Sequence, residues 1–456
     1  VRITVFGGAG EIGGNQILVE GKESKIMLDF GRNFSRESEF FTEPFLRPRK
    51  VEHLLLLGLV PGLPSLYEKE GEPPIDGIFL SHAHLDHMDY VRYVRRDIPV
   101  WAGETTWRII YAREIVTPRK EEYRLAQLSD PSDRLLDCVG TLPLASSFRT
   151  GEKVKVGEFE VTPIHVDHST PGSYGFLVEG PEGTIAYTGD LRFHGARAEM
   201  SEDFLRAAEG VDVLLIEGTN ILESKVSSEE EVRHKVRDLA QKAQKNQGLL
   251  AASFSAVDID RLRTFYQIAR ETGRKLVISM RQACLMELLR PEIESGRIKH
   301  IFKLGDPEVE IYQREKEIMF KWERKLADRF ETVDGPSVSQ KQDRVVLFAT
   351  YYDMTELLGI KPKPGSIYVY SESEPWDEEG EIEFGKLENW LEFLGLSMFQ
   401  VHASGHASSL ELKEVVERLN PKRVVVVHSN RPALFKKFVG GENIICPKRG
   451  ERLELA

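Results

Sequence analysis

A chain of 456 residues is about three times the usual length of one domain, so two or three domains, or one domain interrupted by another, are expected. With 41% hydrophobic and 29% charged residues, 37 Gly and 22 Pro, the composition excludes a disordered, collagen-like or low-complexity chain, and no apolar run approaches the roughly 20 residues of a membrane helix. The formal charge of -12 argues against a surface coated in basic residues, and three scattered cysteines (Cys138, Cys284, Cys446) support neither a disulfide framework nor a CxxC site, so any metal has to be held by histidines and carboxylates. The first residues lack the apolar core and cleavage site of a secretory signal, and the chain reads as cytoplasmic, with no membrane partner.

In chain order, the first half reads as short strands punctuated by glycine, over residues 3–6, 16–19, 25–28, 77–80, 159–164, 173–178 and 184–188, many of them ending at a polar cluster. The glycine-rich start GGAGEIGG lacks both the GxxxxGK[ST] pattern and a helix to open, so it reads as a tight hairpin turn and not a nucleotide loop. From about Ser228 to Ile367 helical and extended patterns alternate, the signature of a parallel α/β unit. Within it, Arg314 to Arg329 reads as an amphipathic surface helix in preference to an RNA-stacking patch around Trp322. A last helix, Ser408 to Leu419, leads through Asn420 and Pro421 into a strand from Arg423 to Val427.

Of twelve histidines, eight fall into four short clusters, three of them where a strand stops or a loop follows it. The sharpest is SHAHLDH, in which His82, His84, Asp86 and His87 follow an apolar strand directly. Ligands two residues apart leave a loop on one side and can grip one ion, while Asp86 and His87 are offset towards a second. Crowding three imidazoles and a carboxylate into one loop costs too much desolvation unless a cation compensates them. Further ligands are available at strand ends, from His165, Asp167 and His168 in IHVDHSTPGS and from Asp190 in YTGD, whose two carboxylate oxygens suit a bridge between two ions. The residues alone thus give a two-metal hydrolase.

These motifs resemble the ribonuclease J-like proteins of the β-CASP branch of the metallo-β-lactamase fold, over nearly the whole chain. GGAGEIGGN and MLDFG are similar to the family's first hairpin, VDHSTPGS to its third-histidine segment and TGD to its bridging aspartate; LLIEGTN, SGHA and VVVVHSN resemble motifs A, B and C. The resemblance implies an α/β architecture: a four-layer αββα domain over residues 1–220 and 381–456, interrupted by an α/β β-CASP domain over 221–380, with the active site in the cleft between them. It further implies that His82, His84 and His168 hold one zinc, that Asp86, His87 and His428 hold the other, and that Asp190 lies between them, Mn2+ being the alternative to the two Zn2+. Glu217 and His406 would form the acid that protonates the leaving oxygen, because a carboxylate beside an imidazolium raises its pKa. Asp86 counts among the catalytic residues as well as the ligands.

The histidine in motif C, His428, is the mark of RNA-acting members, so single-stranded RNA is the expected partner. His402 and Ser404 in HASGH, and Ser255 and Arg261 in SFSAVDIDR, are candidate phosphate contacts; Ala256 and Val257 replace the family's usual polar pair, and a helix cap at Ser255 or Asp258 competes with that role. The expected activity is hydrolysis of RNA phosphodiesters to 5′-phosphate products, as a 5′-to-3′ exonuclease, with endonuclease action the rival. The chain ends 28 residues after His428, which points to a compact member without a C-terminal domain and leaves a homodimer open. A small-molecule (thio)ester hydrolase has no use for Glu217, His406 and an inserted domain, a silent scaffold has no use for intact ligands, and a DNA nuclease is disfavoured by His428.

Overall fold

The computed structural model describes residues 1–42, 45–68, 70–117, 146–223, 227–373 and 378–454, with 125, 136 and 139 singly; Cys138 lies outside them. Among the described residues the chain builds three seven-stranded sheets. The first runs Arg452–Glu454, Arg2–Gly7, Gln16–Glu20, Lys25–Leu28, Gly77–Phe79, Val100–Gly103, Ser147–Phe148, antiparallel as far as Lys25–Leu28 and parallel beyond. The second runs Ile444–Ile445, Arg423–Val426, Val213–Ile216, Gly183–Tyr187, Tyr174–Gly180, Phe159–His165, Val154–Val156, parallel over its first four strands and antiparallel after them.

The two-residue period of each strand decides the layering. Val213 and Leu215 face the gap between the two sheets, where they meet Ile3, Val5, Ile17 and Phe176. Their neighbours Leu214 and Ile216 face the other way, into Phe204, Leu412, Val415 and Phe435 of the covering helices Ala198–Ala207, Ser409–Leu419 and Pro432–Val439. On the first sheet, Leu18, Met27 and Ile78 point outward onto helices Val51–Leu56 and Glu104–Val116. Strands buried on both faces read as continuous apolar runs, and each such side chain contributes about 1.5–3 kcal/mol by leaving water. The result is the expected four-layer αββα arrangement.

Between Val213–Ile216 and its parallel neighbour Arg423–Val426 the chain leaves to build the third sheet, in the order Thr332–Val333, Val309–Tyr312, Lys275–Ser279, Val345–Phe348, Leu250–Ser253, Ile367–Tyr370, Ser397–Gln400, every pair parallel. Its helices begin with Ser228, Asp258 and Ser279, whose side chains accept the backbone N–H three residues on. Residues 381–400, which the sequence reading assigns to the return segment, belong here instead: Ser397 pairs with Ile367, and Leu387, Leu391 and Leu396 fill the apolar face beneath Tyr368. No helix among the described residues is long and apolar enough to cross a membrane.

The expected helix from Arg314 is shorter than the pattern suggested, spanning Lys321–Arg329. Arg314 and Lys316 lie ahead of it, paired with Asp353 and Glu323, and Trp322 and Leu326 are buried in the core, so Trp322 offers no face to a base.

Candidate metal centre

The site forms where strands of the first two sheets end side by side. Asp29, directly after Lys25–Leu28, has a left-handed backbone (φ 56°) and a buried carboxylate held from four directions. Ser81 N (2.7 Å) donates to Oδ1, while Ser81 Oγ (2.8 Å), Tyr187 Oη (2.7 Å) and His87 Nδ1 (2.8 Å) donate to Oδ2. That bond commits Nδ1 of His87 and turns its Nε2 into the cleft. His82 is set the same way, its Nδ1 donating to Ser81 Oγ at 3.0 Å. His168 Nδ1 donates to the carbonyl of Gly405 at 2.5 Å, a close approach possible because a Cβ on Gly405 would stand 2.8 Å from the His168 ring.

His82 Nε2 and His168 Nε2 then lie 3.0 and 3.1 Å from His84 Nδ1, with Asp190 Oδ2 3.5 Å from the first and 3.8 Å from the second. Two of these three nitrogens carry no proton, so hydrogen bonding leaves the cluster short of positive charge. A tetrahedral ion bound at about 2.0–2.1 Å would separate its nitrogens by about 3.3 Å, and the donor set fits one. On the other side of Asp190, His87 Nε2 lies 3.1 Å from Asp190 Oδ2, and His428 Nε2 lies 3.2 Å from Asp86 Oδ2 and 3.9 Å from Asp190 Oδ1. His428, also left-handed (φ 49°), donates through Nδ1 to Thr219 Oγ1 at 2.8 Å. Asp190 Oδ1 is buried without a hydrogen-bond partner among the described residues, as a carboxylate oxygen reserved for a cation would be. A side chain on Gly13 would bring its Cβ to 2.9 Å from that of Asp86, so glycine keeps this ligand in place.

Electrostatics divide the two halves. Burial, reinforced by the neighbouring imidazoles, holds His82 and His168 well below the usual histidine range, and burial together with Arg113 brings His84 down to about 4. These three are neutral at neutral pH, as imidazoles able to accept a cation must be. His87 behaves oppositely: burial disfavours its charge, but Asp190, Asp86 and Asp29 outweigh that and raise it well above 6.5. A cation entering beside His87 must displace that proton, so metal uptake there is coupled to pH.

Glu217 and His428 follow the adjacent strands Val213–Ile216 and Arg423–Val426, which is why an insertion between those strands still leaves both at the site. Glu217 is buried, accepts from Leu191 N at 3.1 Å through Oε1, and accepts from His406 Nδ1 at 2.9 Å through Oε2. Burial lowers the His406 pKa, but Glu217 and Asp190 outweigh it and raise it to about 9. Asp190, Glu217, His406 and His428 also cluster tightly enough to hold a cation, yet the bond from His406 Nδ1 to Glu217 already occupies that nitrogen.

All the expected ligands and the Glu217–His406 pair are thus brought together; the four expected phosphate contacts fare differently. Arg261 is fully buried and committed, giving Glu229 two bonds at 3.0 and 3.3 Å, Ser371 O one at 2.9 Å and Ala403 O one at 3.2 Å, so it cannot meet an incoming strand. The competing cap is real at Asp258, which accepts from Arg261 N. His402 is half-buried, donates to Ser371 O at 3.1 Å, and is pulled down to about 4 by burial and by Arg261, so it stands neutral. Ser404 Oγ accepts from Asn220 Nδ2 at 2.7 Å and from His406 N at 3.2 Å, leaving its own proton uncommitted. Ser255 is exposed at the rim of a cavity of about 900 Å3 at the carboxyl ends of the third sheet. His165 and Asp167 are not ligands: His165 stacks on Tyr174 and Asp167 lies against Arg192.

Residues 58–245 match the family described as a beta-lactamase superfamily domain, and residues 396–437 match the Zn-dependent metallo-hydrolase RNA specificity domain. Ribonuclease J of Helicobacter pylori (strain J99 / ATCC 700824) is 24% identical over 100% of this chain and 60% of its own length. Ribonuclease J of Pyrococcus abyssi is 25% identical over 94% of this chain and 89% of its own length. A crystal structure of a protein of unknown function from Enterococcus faecalis V583 superposes with a TM-score of 0.74 over 99% of both chains at 22% identity, which establishes the shared fold. Over nearly its whole length the chain is similar to ribonuclease J. It spans about 60% of the length of the Helicobacter pylori relatives.

What sequence reading missed in this ribonuclease J-like site is its support. Asp29, Ser81 and Thr219 orient imidazoles. An ion cluster, buried but for the half-buried Arg197, joins the candidate metal loops to the inserted domain: Arg192 bonds Asp260 at 2.9 Å and Ser404 O at 3.0 Å and lies 3.6 Å from both Glu229 and Asp167, while Arg197 bonds Asp260 at 3.0 Å and His168 O at 3.1 Å. The only sequence signal was a charged residue directly after a strand, which Asp29 shows and Arg192 does not.

The depressed histidines make the metal-free protein acid-sensitive. Unfolded histidines take up protons near pH 6.5, whereas His84, His165 and His402 refuse them until about pH 4 and His82 and His168 shift in the same direction. The unfolded state binds more protons across that window, so stability falls as pH falls through it. Asp258, which burial lifts to about 7, opposes the trend, and Asp167 and Glu372, also raised by burial, act in the same direction. His406 and His87 stay charged in the fold while their unfolded counterparts gain protons near pH 6.5, so these two oppose the trend as well, against five depressed histidines that drive it. Thermal melts in EDTA should drop by about 5 °C or more from pH 7 to pH 5; an unchanged melting temperature would show that these imidazoles are not held neutral.

Proposed function

We propose that the protein is a metal-dependent ribonuclease that hydrolyses single-stranded RNA to 5′-phosphate products, acting as a 5′-to-3′ exonuclease. The observation that carries this reading is the convergence of two donor sets on Asp190 with the Glu217–His406 pair beside them. His82, His84, His168 and Asp190 would hold one divalent ion and Asp86, His87, His428 and Asp190 a second, with Zn2+ favoured by the imidazoles and Mn2+ tolerated by the carboxylates. When bound, such a pair supplies an activated water and neutralises charge developing on phosphate oxygens.

The protein's own groups do the rest. Asp29, Ser81, Thr219 and Gly405 O fix the ring faces of the ligands before substrate arrives. His406, held through Nδ1 by Glu217, keeps its Nε2 proton for the departing 3′ oxygen, so that the chain released leaves as an alcohol and not an alkoxide. The curated relatives named Ribonuclease J and the matched RNA specificity domain support RNA as the substrate class. A small-molecule esterase gains nothing from this acid pair.

The test is a time course on 5′-labelled single-stranded RNA carrying a monophosphate, a triphosphate or a hydroxyl, with Asp86→Ala as control. Immediate release of labelled mononucleotide, fastest from the monophosphate and absent in the control, is the expected result. Longer labelled products would replace the exonuclease reading with an endonuclease, and no control-sensitive cleavage of any RNA would overturn the ribonuclease reading itself.

A further inference from the structure

Helix Glu104–Val116 of the αββα domain lies along helix Met280–Glu294 of the inserted domain. Its last residue, Val116, lines the large cavity at the carboxyl ends of the third sheet. The polar groups along this helix are satisfied in unequal measure. Arg108 is saturated, bonding Glu292 at 3.1 Å, Val139 O at 2.8 Å and Leu288 O at 3.3 Å. The guanidinium of Arg113, one turn before Val116, makes no hydrogen bond or ion pair among the described residues, and its buried Nε has no partner there. Beside it, Arg92 gives its Nε to Asp89 O at 2.5 Å and pairs with the Asp89 carboxylate, but its buried Nη1 is also without a partner. Asp89 lies two residues after the ligand His87.

Two guanidinium groups with buried, unused N–H donors are costly unless an anion completes them. Arg113 is also close to the metal ligands: its charge acts on His84 more strongly than that of Asp190 does, and it is itself acted on by Asp86 and Asp89. Filling the two metal positions would add positive charge beside it, which makes an anion between Arg113 and the ligand loop more favourable still. A guanidinium presents a planar fork matched to phosphate oxygens. With the cavity at the end of its helix and the ligand loop within reach of its charge, the anion that fits is a phosphate of an extended strand.

We infer that Arg113, backed by Arg92, is a binding residue for a backbone phosphate of an RNA strand that runs from the candidate metal centre towards the cavity of the inserted domain. This rests on the ribonuclease reading for the identity of the strand. The role is binding: Arg113 holds the strand and takes no part in bond cleavage.

The decisive experiment measures fluorescence anisotropy of a phosphorothioate-linked, cleavage-resistant oligoribonucleotide against the full chain loaded with Zn2+, over a range of salt concentrations, for the wild type, Arg113→Gln and Arg113→Lys. Arg113→Gln should weaken binding about tenfold and flatten the log–log salt dependence by about 0.7, the loss of one phosphate contact to a single strand, while Arg113→Lys keeps the wild-type slope. In cleavage assays Arg113→Gln should raise KM and leave kcat within about twofold. Unchanged affinity and slope in Arg113→Gln would overturn the inference. So would equal weakening by Gln and Lys together with a lowered melting temperature, which marks a purely structural residue. The two readings fail separately: RNA binding through Arg113 without any cleavage would remove the ribonuclease and keep the phosphate contact, whereas cleavage and binding indifferent to Arg113 would remove the contact alone.

Discussion

Asp190→Asn should abolish RNA hydrolysis, by at least about 10^4-fold, and lower the bound metal to one equivalent per chain or less. Among the described residues Asp190 alone faces both donor sets: its Oδ2 lies 3.5 Å from His82 and 3.1 Å from His87, and its Oδ1 faces His428. An amide of the same size keeps the packing but carries no charge and offers one oxygen in place of two. The buried imidazoles of the first set then lack the carboxylate that balances a cation, and the second set is reduced to Asp86 and two histidines. Elemental analysis of the purified variant with a parallel cleavage assay tests both effects. A variant that retained two equivalents of metal, or a tenth of wild-type activity, would show that Asp190 does not join the two positions.

His406→Ala should cost about 10^2–10^4-fold in kcat with metal content unchanged, as expected for removal of a general acid. Glu217 holds its ring through Nδ1 at 2.9 Å, and the raised value of about 9 keeps the proton on Nε2 at neutral pH. The wild-type rate should therefore decline as pH rises towards 9 and His406 loses its proton. Bound metal ions, being positive, move that decline lower. In His406→Ala the descending limb should vanish. A mononucleotide ester with a good leaving group needs no acid, and its hydrolysis should be almost insensitive to the substitution; equal losses on both substrates would assign His406 a positional role instead.

The ligands were legible because metal sites concentrate rare residue types at short spacing, as in His82, His84, Asp86 and His87, and because strand ends deliver the distant ones. What holds them was not. Asp29 and Thr219 act through single bonds to the far sides of imidazole rings, and an aspartate or threonine after a strand has many commoner uses. Arg261 looked like a phosphate contact because arginine is usually at the surface; its burial is decided by Glu229, 32 residues earlier in the chain. The layers of the αββα domain followed from alternating apolar positions. The edge of the third sheet did not, because Ser397–Gln400 is largely exposed and its apolar support comes from a helix that is also rich in glutamate.

The cluster of Arg192, Arg197, Glu229, Asp260 and Arg261 acts as an interlock. Glu229, Asp260 and Arg261 stand on the first two helices of the insert, while their partners grip the backbone of His168, Ala403 and Ser404. That loop supplies the carbonyl that fixes His168 and the imidazole paired with Glu217. If the insert comes undone, the loop loses its grip, and the catalytic groups scatter together with it. A half-folded copy of this chain would therefore be without the ordered donor set and without the acid pair of the proposed ribonuclease, and would leave any RNA it met uncut.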